Sequence, residues 1–131
     1  WYDVQAVNLA LYLGRTDDAR RFLETARTKR IALQIEPDGS QPLELARTKS
    51  LDYCLFNLEA LAHLSRLGRH VGIDLWSYRS ADGRSMIEAL RVLAPYADPA
   101  KKWPKEDLIA ADRERIPSLI RHYRRTHDDE S

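Results

Sequence analysis

The segment from Leu51 to Leu67 constrains the fold more than any other part of the chain. Leu51, Cys54, Leu55, Leu58, Leu61 and Ala62 fall on one face of a helix, and Tyr53, Phe56, Ala60, Leu64 and Leu67 make much of another. A helix that is apolar on two sides must be covered on both, so it belongs between neighbours in a layered assembly. Ser50 is placed to cap it and Gly68 to end it.

The rest of the sequence supplies those neighbours. Residues 2–13 carry Val4, Val7 and Leu11 on one stripe and Ala6, Leu9, Ala10 and Leu13 on another, with Gly14 as a stop. Thr16 or Asp17 caps a second helix, whose stripe is Ala19, Phe22, Leu23 and Ala26 and which runs to about Gln34. Pro37-Asp38-Gly39-Ser40 reads as a turn, with φ fixed at the proline and positive φ open to the glycine. Ser85 caps a short helix, Met86 to Ala94, stopped by Pro95. A last helical stretch is predicted over about Lys105–Thr126, with Pro104 and Pro117 at first-turn positions or kinks. Trp76, Tyr78 and Trp103 read as packing anchors. No segment alternates like a strand, and Ile31–Ile35, the nearest candidate, is too short. The expectation is an all-α fold of helical hairpins, with residues 1–131 forming one unit and 126–131 a frayed tail.

Composition narrows the function. With 21 Lys+Arg against 20 Asp+Glu, the net charge of +1 gives no electrostatic case for nucleic acid. No apolar run approaches a membrane span. The single cysteine, Cys54, can form neither an internal disulfide nor a cysteine zinc cage. His63, His70, His122 and His127 show no metal-ligand spacing and read as surface histidines, so no metal is expected. Arg113, Arg115, Arg121, Arg124 and Arg125, interleaved with acids, read as a solvated face.

The dense polar region is 34–57. Tyr53 would sit in the first turn of the long helix, near its unsatisfied N–H groups and positive dipole end, with Arg47 six residues earlier. Both influences favour a phenolate, which a phenol of ordinary pKa near 10 needs for chemistry near neutrality. The bland alternative is a core tyrosine beside a surface arginine. Gln41 and Glu44 orient Arg47, touch a ligand or, the favoured reading, serve loop hydrogen bonding. Trp1 and Tyr2 offer a stacking face or a helix core.

The stretch Asp38-Gly39-Ser40-Gln41-Pro42-x-Glu44-Leu45-Ala46-Arg47-Thr48-x-Ser50-x-x-Tyr53 resembles the alginate lyase superfamily of polysaccharide lyases. So do Phe56-Asn57-Leu58 and Gly72-Ile73-Asp74-Leu75-Trp76-Ser77-Tyr78, and Trp1-Tyr2-Asp3-Val4-Gln5-Ala6 looks like the residues just after that family's Asn-Asn-His element. The resemblance covers about residues 1–104. It implies part of an (α/α) toroid and cleavage of uronic-acid polysaccharide, such as alginate or glucuronan, by β-elimination. It implies Tyr53 as the catalytic acid, a residue that in some members is also the base, and Arg47 as its positive neighbour; Gln41, Glu44, Trp1 and Tyr2 stand beside them as candidate substrate-binding residues. No cofactor is implied. The chain opens on Trp1, just past the Asn-Asn-His element, and is therefore expected to be the C-terminal portion of a lyase domain, inactive alone. Its partners would be the missing N-terminal portion or a second copy, and its location periplasmic or secreted. The competing class is a non-catalytic all-α interaction or scaffold module.

Overall fold

The protein is described by a computed structural model covering residues 1–105 and 110–127. Helix α1 spans Tyr2–Tyr12, and α2 starts at Thr16–Ala26 and runs on through a π turn, Arg27–Ile31, and a last turn, Ala32–Gln34. The short α3 (Pro42–Leu45) leads into α4 (Ser50–Arg69). Helix α5 (Met86–Leu93) passes into a 3₁₀ turn, Ala94–Ala97, and α6 spans Arg115–His127. No β-strand occurs among the described residues, so the fold is all-α, as expected. No helix among them is long and apolar enough to cross a membrane.

The doubly apolar segment is the centre of the molecule. Helix α4 contacts α1, α2, α3, α5 and α6. Leu51, Cys54, Leu55, Leu58, Leu61 and Ala62 are all buried, as are Ala60 and Leu64 on the other side. Phe56 departs from the expected pattern and is exposed.

Helices α1 and α2 form the first hairpin. Gly14 adopts φ +72°, its N–H donates to the Leu11 carbonyl at 3.1 Å, and the Arg15 N–H donates to that of Ala10 at 2.8 Å. This pair of bonds is a Schellman stop. It delivers the chain straight into α2, so Arg15 takes the cap position, and neither Thr16 nor Asp17 caps the helix as expected. The second stripe of α1 also differs: Ala10 is buried, but Leu9 and Leu13 face out.

The π turn in α2 reflects the spacing of its apolar residues. The buried positions are Ala19, Leu23, Ala26, Ile31 and Ile35, and the step from 26 to 31 is one residue too long for an α-helix. One wider turn brings Ile31 inward in place of Arg30. Arg30 then reaches across to α1 and grips Asp3 through Nε at 2.7 Å and Nη2 at 3.2 Å. Phe22, expected on the buried stripe, is partly exposed instead.

Further expectations are corrected. Ser50 does not cap α4; Lys49 holds that position, and the buried Ser50 hydroxyl accepts a bond from the Trp103 indole at 2.7 Å. Gly68 does not end α4 but lies inside it, where a Cβ would come within 2.5 Å of the Ile73 carbonyl oxygen. The last helix begins at Arg115, not near Lys105, while residues 106–109 and 128–131 lie outside the described part. Starting there puts Pro117 in the first turn, where its missing N–H loses no helical bond. Just upstream, Arg113 Nη1 is committed to the carbonyls of Asp98 at 3.0 Å and Lys101 at 2.5 Å. Arg115 is likewise no solvated arginine, since it bridges to Asp52 and Glu59 on α4. The Ser85 cap is as predicted: its hydroxyl accepts the Glu88 N–H at 3.2 Å. Trp76 and Trp103 are buried, and Tyr78 packs against the core.

Candidate active site

The loop between α2 and α4 positions the candidate residues. The Asp38 carboxylate accepts the Ser40 N–H at 2.9 Å, and the Glu36 N–H donates to the Ser40 carbonyl at 2.8 Å, closing the turn. The Ser40 bonds hold the Asp38 carboxyl below its usual range. Gly39, at φ +86°, lies against α5, where a Cβ would sit 2.1 Å from the Glu88 carbonyl oxygen. The turn is therefore seated on the core by a glycine that nothing larger can replace. Arg84 fastens it from the other side, donating through Nη1 to the Ala32 carbonyl at 3.2 Å.

From this anchored turn the chain enters Gln41, which is buried with a hydrogen bond at each end of its amide. Its Nε2 donates to the Cys54 carbonyl at 3.3 Å, and its Oε1 accepts from Asn57 Nδ2 at 2.9 Å. Gln41 thus clamps the loop to the first two turns of α4. Glu44 is half-buried, and its backbone carbonyl accepts the Arg47 N–H at 3.1 Å. Among the described residues neither the Gln41 amide nor the Glu44 carboxylate bonds to the Arg47 side chain, and of the alternatives the sequence left open for Gln41, hydrogen bonding of the loop is the one seen.

Tyr53 stands in the first turn of α4, as expected, and is half-buried. The Arg47 guanidinium carbon lies 3.6 Å from the centre of the Tyr53 ring. The two are brought together, but the cation meets the ring's face, a cation–π contact. One turn further along α4, Asn57 turns from Gln41 towards a cleft of about 210 Å³ between α4 and the start of α1. Trp1, Tyr2 and Asn57 share its lining with the Asp3–Arg30 pair. Trp1 packs on Phe56 and His63, ring centres 5.3 and 5.1 Å apart, and Tyr2 is exposed.

Phe56 and Asn57 belong to the sequence motif, but sequence reasoning assigned them no role. Their signal is the helical spacing from Tyr53, three and four residues on, which puts them one turn above it. Cys54 contributes no nucleophile: burial, reinforced by the Glu44 carboxylate, pushes its thiol up to about 12. The histidines are not uniformly superficial. His122 and His127 are half-buried, and His127 stacks on Tyr123 with ring centres 4.6 Å apart.

The comparisons with known proteins fall on this same region. Among curated proteins, none matches the chain. The crystal structure of an alginate lyase from Bacteroides ovatus superposes with a TM-score of 0.89 at 38% identity, over 95% of this chain and 34% of that one. The chain therefore spans about a third of the length of that relative. The family model described as alginate lyase matches residues 1–103, a span holding the anchored turn, Gln41, Arg47, Tyr53 and the Trp1 cleft, and the chain belongs to the alginate lyase family.

Proposed function

We propose that this chain carries the tyrosine-bearing part of the active site of a polysaccharide lyase acting on uronic-acid polymers such as alginate or glucuronan. The observation that carries the reading is the Arg47–Tyr53 contact at the start of a buried helix, held in place by the Gln41 clamp. In β-elimination the C5 proton beside the carboxylate is removed, the C4–O4 bond breaks, and a C4–C5 double bond forms. The departing O4 takes up a proton. Tyr53, as the phenolate, removes the C5 proton, and the phenol so formed donates that proton to the departing O4, which returns Tyr53 to the phenolate. Arg47 fixes the Tyr53 ring and lends positive potential where charge develops on the substrate carboxylate. Gln41 and Glu44 serve the substrate by shaping the loop, and Trp1 and Tyr2 offer aromatic faces to the sugar.

The remainder of the domain comes from further helical hairpins or a second copy of the chain. Tyr2, Leu9, Tyr12 and Leu13 expose apolar surface along α1, which supports such a neighbour. A periplasmic or secreted location accords with the same reading. The test is the ultraviolet absorbance of the unsaturated uronate, using the longest natural protein that contains this chain, on alginate and on glucuronan. Tyr53→Phe is expected to lower turnover by roughly 10²–10⁴-fold, the scale of general acid–base catalysis, without loss of the fold. Near-wild-type turnover in that variant would remove Tyr53 from the chemistry.

A further inference from the structure

A second groove, of about 320 Å³, runs between α4 and α6. Its size is within the range of small-ligand pockets. Ala62, His63 and Arg66 line it from α4, and Ser118, Leu119 and His122 from α6. Its two ends differ in charge balance. At one end Arg115 is neutralised by Asp52 and Glu59, and Asp112 and Glu114 add their carboxylates to the lining. Towards the other, Arg66 lines the groove together with His122, and among the described residues Arg66 has no carboxylate within ion-pair distance. Burial first, then the charges of Arg66 and His63, holds His122 below its ordinary pKa. Its Nδ1 is buried with no hydrogen-bond partner among the described residues. An unpaired arginine beside a half-buried imidazole, at the end of the groove away from the Arg115 ion pairs, makes a place where an anion is stabilised.

The groove is continuous with an aromatic ledge. His63 lines it and also stacks against Trp1, which packs on Phe56. Trp1 and Phe56 are 43% and 49% exposed, so about half of each side chain remains accessible. Phe56, His63 and Arg66 come one after another up α4 from Tyr53. At 1.5 Å per residue, Arg66 lies about 20 Å along the axis from Tyr53, a span of several sugar rings.

We propose that the α4–α6 groove is a distal subsite for an acidic sugar chain, in which Arg66 and His122 hold the carboxylate of one uronate unit while a neighbouring ring lies on the Trp1–Phe56–His63 ledge. This rests on the lyase reading for its choice of ligand. A carboxylate suits both donors, and pyranose faces suit exposed aromatics.

The test uses the full chain and a saturated hexamannuronate, with calorimetry for affinity and NMR for the histidine ring resonances. Ultraviolet absorbance at the end of each titration records any cleavage. Binding should shift the His63 and His122 resonances. Arg66→Gln should raise the Kd about tenfold, the scale of one charge-assisted hydrogen bond. Arg66→Lys should recover part of that loss. Arg66 is exposed and makes no hydrogen bond among the described residues, so its variants should melt like the parent. Unmoved histidine resonances, an unchanged Kd in Arg66→Gln, or equally tight binding of tripolyphosphate would overturn the assignment. A chain that binds at these resonances but yields no unsaturated product keeps the subsite and loses the lyase reading. Cleavage without the shifts does the reverse.

Discussion

The guanidinium of Arg47 lies over the ring of Tyr53, 3.6 Å from its centre, at the point where the α3–α4 loop becomes the central helix. The contact joins an exposed residue of a loop to a half-buried residue of a helix. It fixes the ring's face, while the loop beneath is fixed by Gln41. Arg47→Ala removes a contact worth about 0.5–1 kcal/mol at an exposed site, so the melting temperature should hardly move. Under the proposed function, turnover of the longest natural protein that contains this chain should fall at least tenfold, because a loosened ring misplaces the proposed proton donor. Arg47→Lys should recover only part, since an ammonium lacks the planar stacking surface. Equal activity of Arg47→Ala and wild type would show that the stacking has no functional part.

Gln41 is the second test of the same geometry. Gln41→Leu keeps the volume but leaves the Cys54 carbonyl and the Asn57 amide without that partner. A loss of about 1 kcal/mol in urea unfolding is expected, the net worth of a hydrogen bond, since the Cys54 carbonyl keeps its helical partner and Asn57 is only half-buried. Turnover should drop together with stability, whereas Asn57→Ala, which frees only one end, should be milder in both.

Two glycines with similar backbone angles should respond differently to alanine. Gly14→Ala meets open space, so only the left-handed backbone penalty of about 1–2 kcal/mol applies. Gly39→Ala adds to that a collision with the Glu88 carbonyl and with Val92. Its loss should exceed that of Gly14→Ala by at least about 1 kcal/mol in denaturant unfolding, since the backbone must move.

Stability should also depend on pH through His122. Burial, then Arg66 and His63, depresses its folded-state pKa below the ordinary 6.5. The unfolded chain then binds more protons, so this contribution is full above pH 6.5 and is lost as pH falls through the folded value. Thermal melts should show a decline below about pH 6.5. His122→Gln should flatten that part of the profile, leaving the steeper acid loss from Asp38, Asp74 and Asp82, whose carboxyls are held low.

The sequence by itself determined the helical class, the central helix and the motif. The two apolar faces of 51–67 can be satisfied only between neighbours, and local chemistry set the Gly14 stop and the Ser85 cap, because each depends on groups a few residues apart. The motif placed Tyr53 in a first turn for the same local reason. Contacts that join distant parts were decided by tertiary structure. The π turn in α2 was written in a five-residue apolar step, but its consequence, Arg30 reaching Asp3, needs the α1–α2 hairpin. Ser50 was fit to cap a helix on local grounds, yet Trp103, 53 residues on, packs beside it and engages its hydroxyl. Arg115 looked like one of several solvated arginines until α6 laid it across Asp52 and Glu59. Periodicity tells which face of a helix is apolar. Which polar group meets which across the core depends on how the helices cross, and only packing sets that.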